Sequence, residues 1–224
     1  MKKKILIVVA HPDDETFGMA GTIAKHISER DKVLAISFTD GVSSRNKGGL
    51  AHKGRIASLK KAEKILGFKW IKNLNFEDNQ LDKVGLLKLA KEIEKIKKKI
   101  KFDIIYTHNY SDLNIDHQLI SRATLTAFRP ENKIKNPEIR FFEIPSSTDF
   151  ASYKIDGSFK PNLFINITKF WKKKIKAVKA YKQELRKKPH SLSLSGITNL
   201  AKLRGSQSSK LYSEAFEIVR KIEE

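Results

Sequence analysis

Cysteine is absent from all 224 residues, which excludes both disulfides and thiolate metal ligands. Long apolar runs are also missing, and none approaches the ~18 residues that a membrane span needs. The opening MKKKILIVVA starts like a signal peptide, with lysines before an apolar run, but breaks at His-Pro-Asp-Asp without a cleavage region. A buried strand in a cytoplasmic protein is the expectation. No internal repeat is evident, and the length suits one domain over residues 1–224 with a substantial core.

Acidic residues are in short supply: 25 Asp and Glu face 45 Lys and Arg, a net charge of +20. Such a balance invites a nucleic-acid reading, yet no RNP, zinc-finger or helix-turn-helix pattern accompanies it. The lysines spread over segments such as KEIEKIKKKIK and FWKKKIKAVKAYK, where apolar residues recur at helical spacing. Solvated helix faces explain them better, and no nucleic-acid partner is expected.

Strand and helix patterns alternate along the chain. Apolar runs at Ile5–Ala10, Val33–Phe38, Asp103–Thr107, Ile139–Ile144 and Leu163–Ile167 read as strands, with a short apolar stretch near Trp70–Leu74. Helical spacing marks Gly21–Glu29, Arg55–Leu66 (stopped by Gly67), Leu86–Ile100, the segment after Asp116, Lys169–Leu185 and Lys210–Ile222. The expected fold class is α/β, Rossmann-like and three-layered, with a mostly parallel sheet, helices on both faces and a C-terminal helical extension over about 169–224. Residues 11–18, 39–52 and 107–116 should then share the rim beyond the strand ends, where ligands gather in such folds. Residues 186–209, polar and serine-rich, read as a loop folded over that rim.

Two strand ends on the rim hold the unusual residues. One supplies His11, Asp13, Asp14 and Glu15, and the other His108, Asp112, Asn114, Asp116 and His117. Two imidazoles and a carboxylate form an open coordination set of the kind catalytic zinc uses. His11 and Asp14 lie close enough in a turn to share an ion, and His117 closes the set from the other strand. A cation also explains why two acids stand side by side at a strand end, since it offsets their repulsion. One acid ligates while its neighbour takes a proton from water. The competing explanation for Asp13 and Asp14 is a turn whose aspartate caps the following helix.

AHPDDETFGMAGTIAK closely resembles the motif of the PIG-L/LmbE-like family of zinc-dependent N-acetylglucosaminyl deacetylases, and SDLNIDHQLI its second metal motif. TDG, RIASLKKAEKILG, FFEIPSSTDF and the C-terminal segments extend the similarity over nearly the whole chain. The resemblance implies zinc ligands at His11, Asp14 and His117, a general base at Asp13, and at Asp116 a partner that orients an imidazole. It also implies a substrate-binding arginine at Arg55, for which a helix-surface arginine is the alternative. One departure matters. Several family members carry His-x-Asp-His at the second motif, and here the first histidine is Asn114. Asparagine can donate to an oxyanion but cannot act as an acid. The catalytic set is therefore Asp13, Asn114 and either His190, in KKPHSLS, or Asp13 again as the acid.

The implied reaction is metal-dependent hydrolysis of an N-acetylated amino sugar or sugar conjugate, a glycan precursor or nucleotide sugar, with release of acetate. One Zn²⁺ per chain is expected, and Fe²⁺ suits the same ligands. Arg45, Lys47, Lys53 and Arg55 would give the rim a basic character suited to a phosphate- or nucleotide-bearing substrate. The alternatives are a deacetylase of a low-molecular-weight thiol precursor and a non-catalytic carbohydrate- or nucleotide-binding protein. Homo-oligomerisation is left open.

Overall fold

The computed structural model describes residues 2–45, 49–132, 136–153 and 157–223. Seven strands form one sheet: β1 (Lys4–Val9), β2 (Lys32–Thr39), β3 (Lys69–Phe76), β4 (Ile104–His108), β5 (Glu138–Phe142), β6 (Leu163–Asn166) and β7 (Ser213–Arg220). Their order is β3-β2-β1-β4-β5-β7-β6. The first five in that order run parallel, and β7 is antiparallel to both β5 and β6. The described helices include α1 (Asp14–Ser28), α2 (Gly49–Leu66), α3 (Leu81–Val84), α4 (Leu86–Lys97), α5 (Ile115–Ala127), α6 (Trp171–Val178) and α7 (Leu194–Ser206).

β1 shows why its sequence is apolar without alternation. Leu6 and Val8 pack on one face with Leu89 and Ile93 of α4 and Ile120 and Ala123 of α5. Ile5, Ile7 and Val9 pack on the other with Ala20, Ile23 and Ala24 of α1. A strand covered on both faces has no solvent side to mark with polar residues, and each buried Ile or Leu contributes about 1.5–3 kcal/mol. Gly67 ends α2 at φ +91°, its N–H donating to the Glu63 carbonyl at 2.8 Å, a left-handed cap that glycine adopts without strain.

Three expectations need correction. The helix expected over Lys210–Ile222 is strand β7, inserted between β5 and β6. The expected loop at 186–209 contains α7, whose Ser193 cap accepts the Gly196 N–H. The helix expected over Lys169–Leu185 is a 3₁₀ turn, α6, and a second 3₁₀ turn at Lys179–Tyr181. The expected C-terminal extension is therefore helical only as far as α7. None of the helices among the described residues is long and apolar enough to cross a membrane.

The order of connection reverses between β1 and β4: β2 and β3 lie to one side, β4 and β5 to the other. At such a switch point the loops beyond the two strand ends diverge and leave a crevice. The residues that leave β1 and β4 there are His11 to Asp14 and His108 to Asp112.

Candidate metal centre and active site

From β1 the chain turns directly into α1, placing Asp14 and Glu15 in the first helical turn, where the helix dipole favours carboxylates. Asp13 occupies the N-cap position but makes no side-chain cap. That disposes of simple capping as the reason for the acid pair. The Asp14 carboxylate folds back to accept the His11 N–H at 2.8 Å. On the other side of the crevice Asn114 caps α5, accepting the Asp116 N–H at 2.8 Å, which brings Asp116 and His117 into the first turn.

Three ligand atoms converge. His11 Nδ1 lies 3.0 Å from His117 Nε2, and the Asp14 oxygens lie 3.3 Å from His11 Nδ1 and 3.5 Å from His117 Nε2. All three side chains are buried. Their outer atoms are held by further carboxylates. Asp112 Oδ1 stands 3.1 Å from His117 Nδ1, and Asp78 Oδ1 and Asp116 Oδ2 stand 3.0 and 3.4 Å from His11 Nε2. Asp116 is itself fixed by the N–H groups of Asn79 and Leu81. His108 stacks on His117 with ring centroids 3.9 Å apart, and its Nε2 accepts the Ala10 N–H.

The electrostatics call for positive charge. Burial disfavours the imidazolium of His117, but Asp112 and Asp14 outweigh it and push the pKa up to about 9. Burial and then the Asp14, Asp116 and Asp78 carboxylates act likewise on His11, which ends well above its ordinary value. Burial raises Asp14, yet the His117, His11 and His108 rings hold it well below the usual carboxylate range. His108, buried and next to His117, falls to about 4 and is neutral at physiological pH. Two ring nitrogens 3.0 Å apart beside a carboxylate would hold protons without a metal, and a divalent cation can take their place. Two nitrogens and one oxygen fit zinc with room for further ligands.

Asp13 stands beside this cluster in the wall of a cleft of about 190 Å³. Burial pushes its carboxyl up, the Arg55 guanidinium pulls it down, and burial prevails. Arg55, 2% exposed, donates to Asp13 Oδ2, to the Gly41 carbonyl at 2.8 Å and to Glu184 Oε1 at 2.8 Å. Asn114 also lines the cleft, one N–H of its amide donating to Asn79.

His190 is not in that wall. Its Nδ1 accepts the Leu192 N–H at 3.0 Å and its ring meets Phe150 edge-on, while Leu192, two residues on, lines the cleft. Among the described residues Arg55 is the one lysine or arginine lining the cleft. Lys53 is exposed, and Lys47 and the Arg45 side chain lie outside the described residues. Sequence reasoning missed Asp78 and Glu184, which stand in FEDNQ and KQEL without any local signal. Asp112 and His108 were visible at the second strand end, but without a role.

The profile of the PIG-L family, described as GlcNAc-PI de-N-acetylase, matches residues 6–128. The diacetylchitobiose deacetylase of Thermococcus kodakarensis is 25% identical over 224 residues, covering 97% of this chain and 83% of that protein. Among solved structures, N,N'-diacetylchitobiose deacetylase from Pyrococcus horikoshii aligns with a TM-score of 0.79 at 21% identity, over 97% of this chain and 84% of that one. The 4-carboxy-2-hydroxymuconate hydratase of Pseudomonas putida aligns with a TM-score of 0.76 at 22% identity, over 100% and 99%.

Proposed function

Because the chain belongs to the PIG-L family, we propose that it removes the acetyl group from an acetamido sugar, with Zn²⁺ held by His11, Asp14 and His117. It is an N-deacetylase. A hydratase on the same fold makes the fold a poor guide to the reaction, so the site must carry it. The observation that does so is the pairing of a converging His₂Asp set with a second carboxylate, Asp13, held beside it by a buried arginine.

A divalent cation at this set supplies Lewis acidity, polarising a carbonyl and acidifying water. The chain's own residues do the rest. Asp13 removes a proton from the water whose oxygen forms the new bond to the acetyl carbon. Arg55 keeps Asp13 ionised and aimed, and the free N–H of Asn114 donates to the carbonyl oxygen as charge builds there. When the C–N bond breaks, Asp13 returns its proton to the nitrogen, leaving acetate and the free amine. Asp13 serves as both base and acid in this scheme, since His190 does not line the cleft. Asp112 holds the outer nitrogen of His117, and Asp78 and Asp116 hold that of His11, fixing both rings.

Arg55 is engaged by Asp13 and Glu184, so the described wall offers a phosphate no uncommitted cation. Neutral N-acetylglucosaminides are therefore the first substrate class, and nucleotide sugars the second. The test is acetate release from N-acetylglucosamine, diacetylchitobiose and UDP-N-acetylglucosamine, with and without chelator and added zinc. Chelator-sensitive release from a neutral sugar is expected. Chelator-insensitive turnover, or no release from any acetamido sugar, would overturn the proposal.

A further inference from the structure

α1 is broken just beyond the site. Met19 takes non-helical angles (φ −140°, ψ 24°) inside the helix, so the turn that carries Asp14 and Phe17 is separate from the remainder. In an unbroken helix the Gly21 N–H would donate to the Phe17 carbonyl, and the Thr22 N–H to that of Gly18. Here two side chains from the C-terminal part of the chain serve these groups. Glu214 of β7 accepts the Gly21 N–H at 2.9 Å and the Thr22 N–H at 2.6 Å. Lys174 of α6 donates to the Phe17 carbonyl at 3.2 Å and to Glu214 Oε1 at 2.7 Å. A carboxylate thus stands at the start of one helical segment and an ammonium at the end of the other, as the dipoles of both favour.

Both charges are buried, each residue 4% exposed. Such a pair is a weak source of net stability, because desolvation offsets the attraction. Its position suggests another purpose. The break lets the first turn press against the end of β5: a Cβ on Gly18 would stand 2.5 Å from Phe142 Cδ2 and 3.1 Å from the Glu143 carbonyl. The direction of that turn sets where Asp13 and Asp14 point.

We infer that Lys174 and Glu214 are positioning residues, a charged bracket that holds the break in α1 and thereby aims the metal-binding and proton-transferring aspartates. This role holds only if His11, Asp14 and His117 bind the ion as proposed above. The test measures zinc affinity of the metal-free protein by chelator competition, with thermal melting alongside. Lys174→Met and Glu214→Gln should remain folded and bind zinc at least tenfold more weakly. The exchange Lys174→Glu/Glu214→Lys restores the mutual attraction but turns an ammonium toward two N–H donors, so affinity should stay low. Zinc affinity within twofold of the unaltered protein in the folded variants, or rescue by the exchange, would overturn the bracket. The unaltered protein gives a check that no folding defect can confound. Adding zinc to it should shift the amide NMR signals of Gly21 and Thr22, and zinc binding without that shift also refutes the role. Failure of the unaltered protein to bind zinc at all would instead remove the metal reading, and the bracket with it.

Discussion

Replacing Arg55 should move the pH dependence of turnover rather than the affinity for substrate. The guanidinium bonds Asp13, Gly41 and Glu184 from a buried position. An arginine beside a carboxylate lowers its pKa by about 1–3 units. In Arg55→Met that contribution is lost, Asp13 rises further above its ordinary value, and the base ionises only at higher pH. The acid limb of the kcat profile should therefore move up by about 1–3 pH units. Each unit is a factor of ten, or about 1.4 kcal/mol, so turnover below the limb should fall about 10- to 1000-fold and recover in alkaline buffer. Glu184→Gln should shift the limb the other way, because the Glu184 charge raises Asp13. Arg55→Met also breaks two buried ion pairs, to Asp13 and Glu184, at a cost of about 3–5 kcal/mol. Arg55→Lys should accompany it, since it keeps the charge but cannot span three acceptors. The assay is acetate release across pH, with melting curves for each variant. A raised KM with an unmoved acid limb would refute the reasoning and return Arg55 to the substrate contact that the family resemblance implied.

Asp13→Asn should retain zinc and lose about 10²- to 10⁴-fold in kcat, whereas Asp14→Asn should weaken zinc binding itself; metal analysis of both variants checks the division. His190→Ala should keep near-normal turnover across pH, because its ring sits against Phe150 outside the cleft, and loss of the alkaline limb in that variant would make His190 the acid. Zinc affinity, read by chelator competition, should rise with pH toward about 9, where His117 loses its proton in the metal-free protein, by about tenfold per pH unit for each proton displaced.

The strand and turn at AHPDDE were legible in the sequence because both are local, whereas the helix, expected from Gly21, already starts at Asp14. A two-face-buried strand reads as an unbroken apolar run, and the turn that follows puts His11 and Asp14 within reach of one ion whatever the rest of the chain does. The second motif was equally local, with Asn114 as cap and Asp116 and His117 in the first turn of α5. That the two would meet followed from strand–helix alternation, which demands a parallel sheet with its loops on one rim. The remainder depended on contacts between distant segments. β7 looked helical because SEAFEIVR carries charges at intervals that suit either structure, and pairing with β5 and β6 decided the matter. Asp78, beside Glu77, and Glu184 stand in segments with no motif, and the fold brings them to 3.0 Å from His11 and 2.8 Å from Arg55. The partners of Arg55 and the place of His190 were likewise undetermined, since residue type fixes what a side chain can bond but only packing fixes what it reaches. The break in α1 belongs to the same class: the sequence shows glycines at 18 and 21, and only the folded chain brings Lys174 to the Phe17 carbonyl and Glu214 to the Gly21 and Thr22 N–H groups.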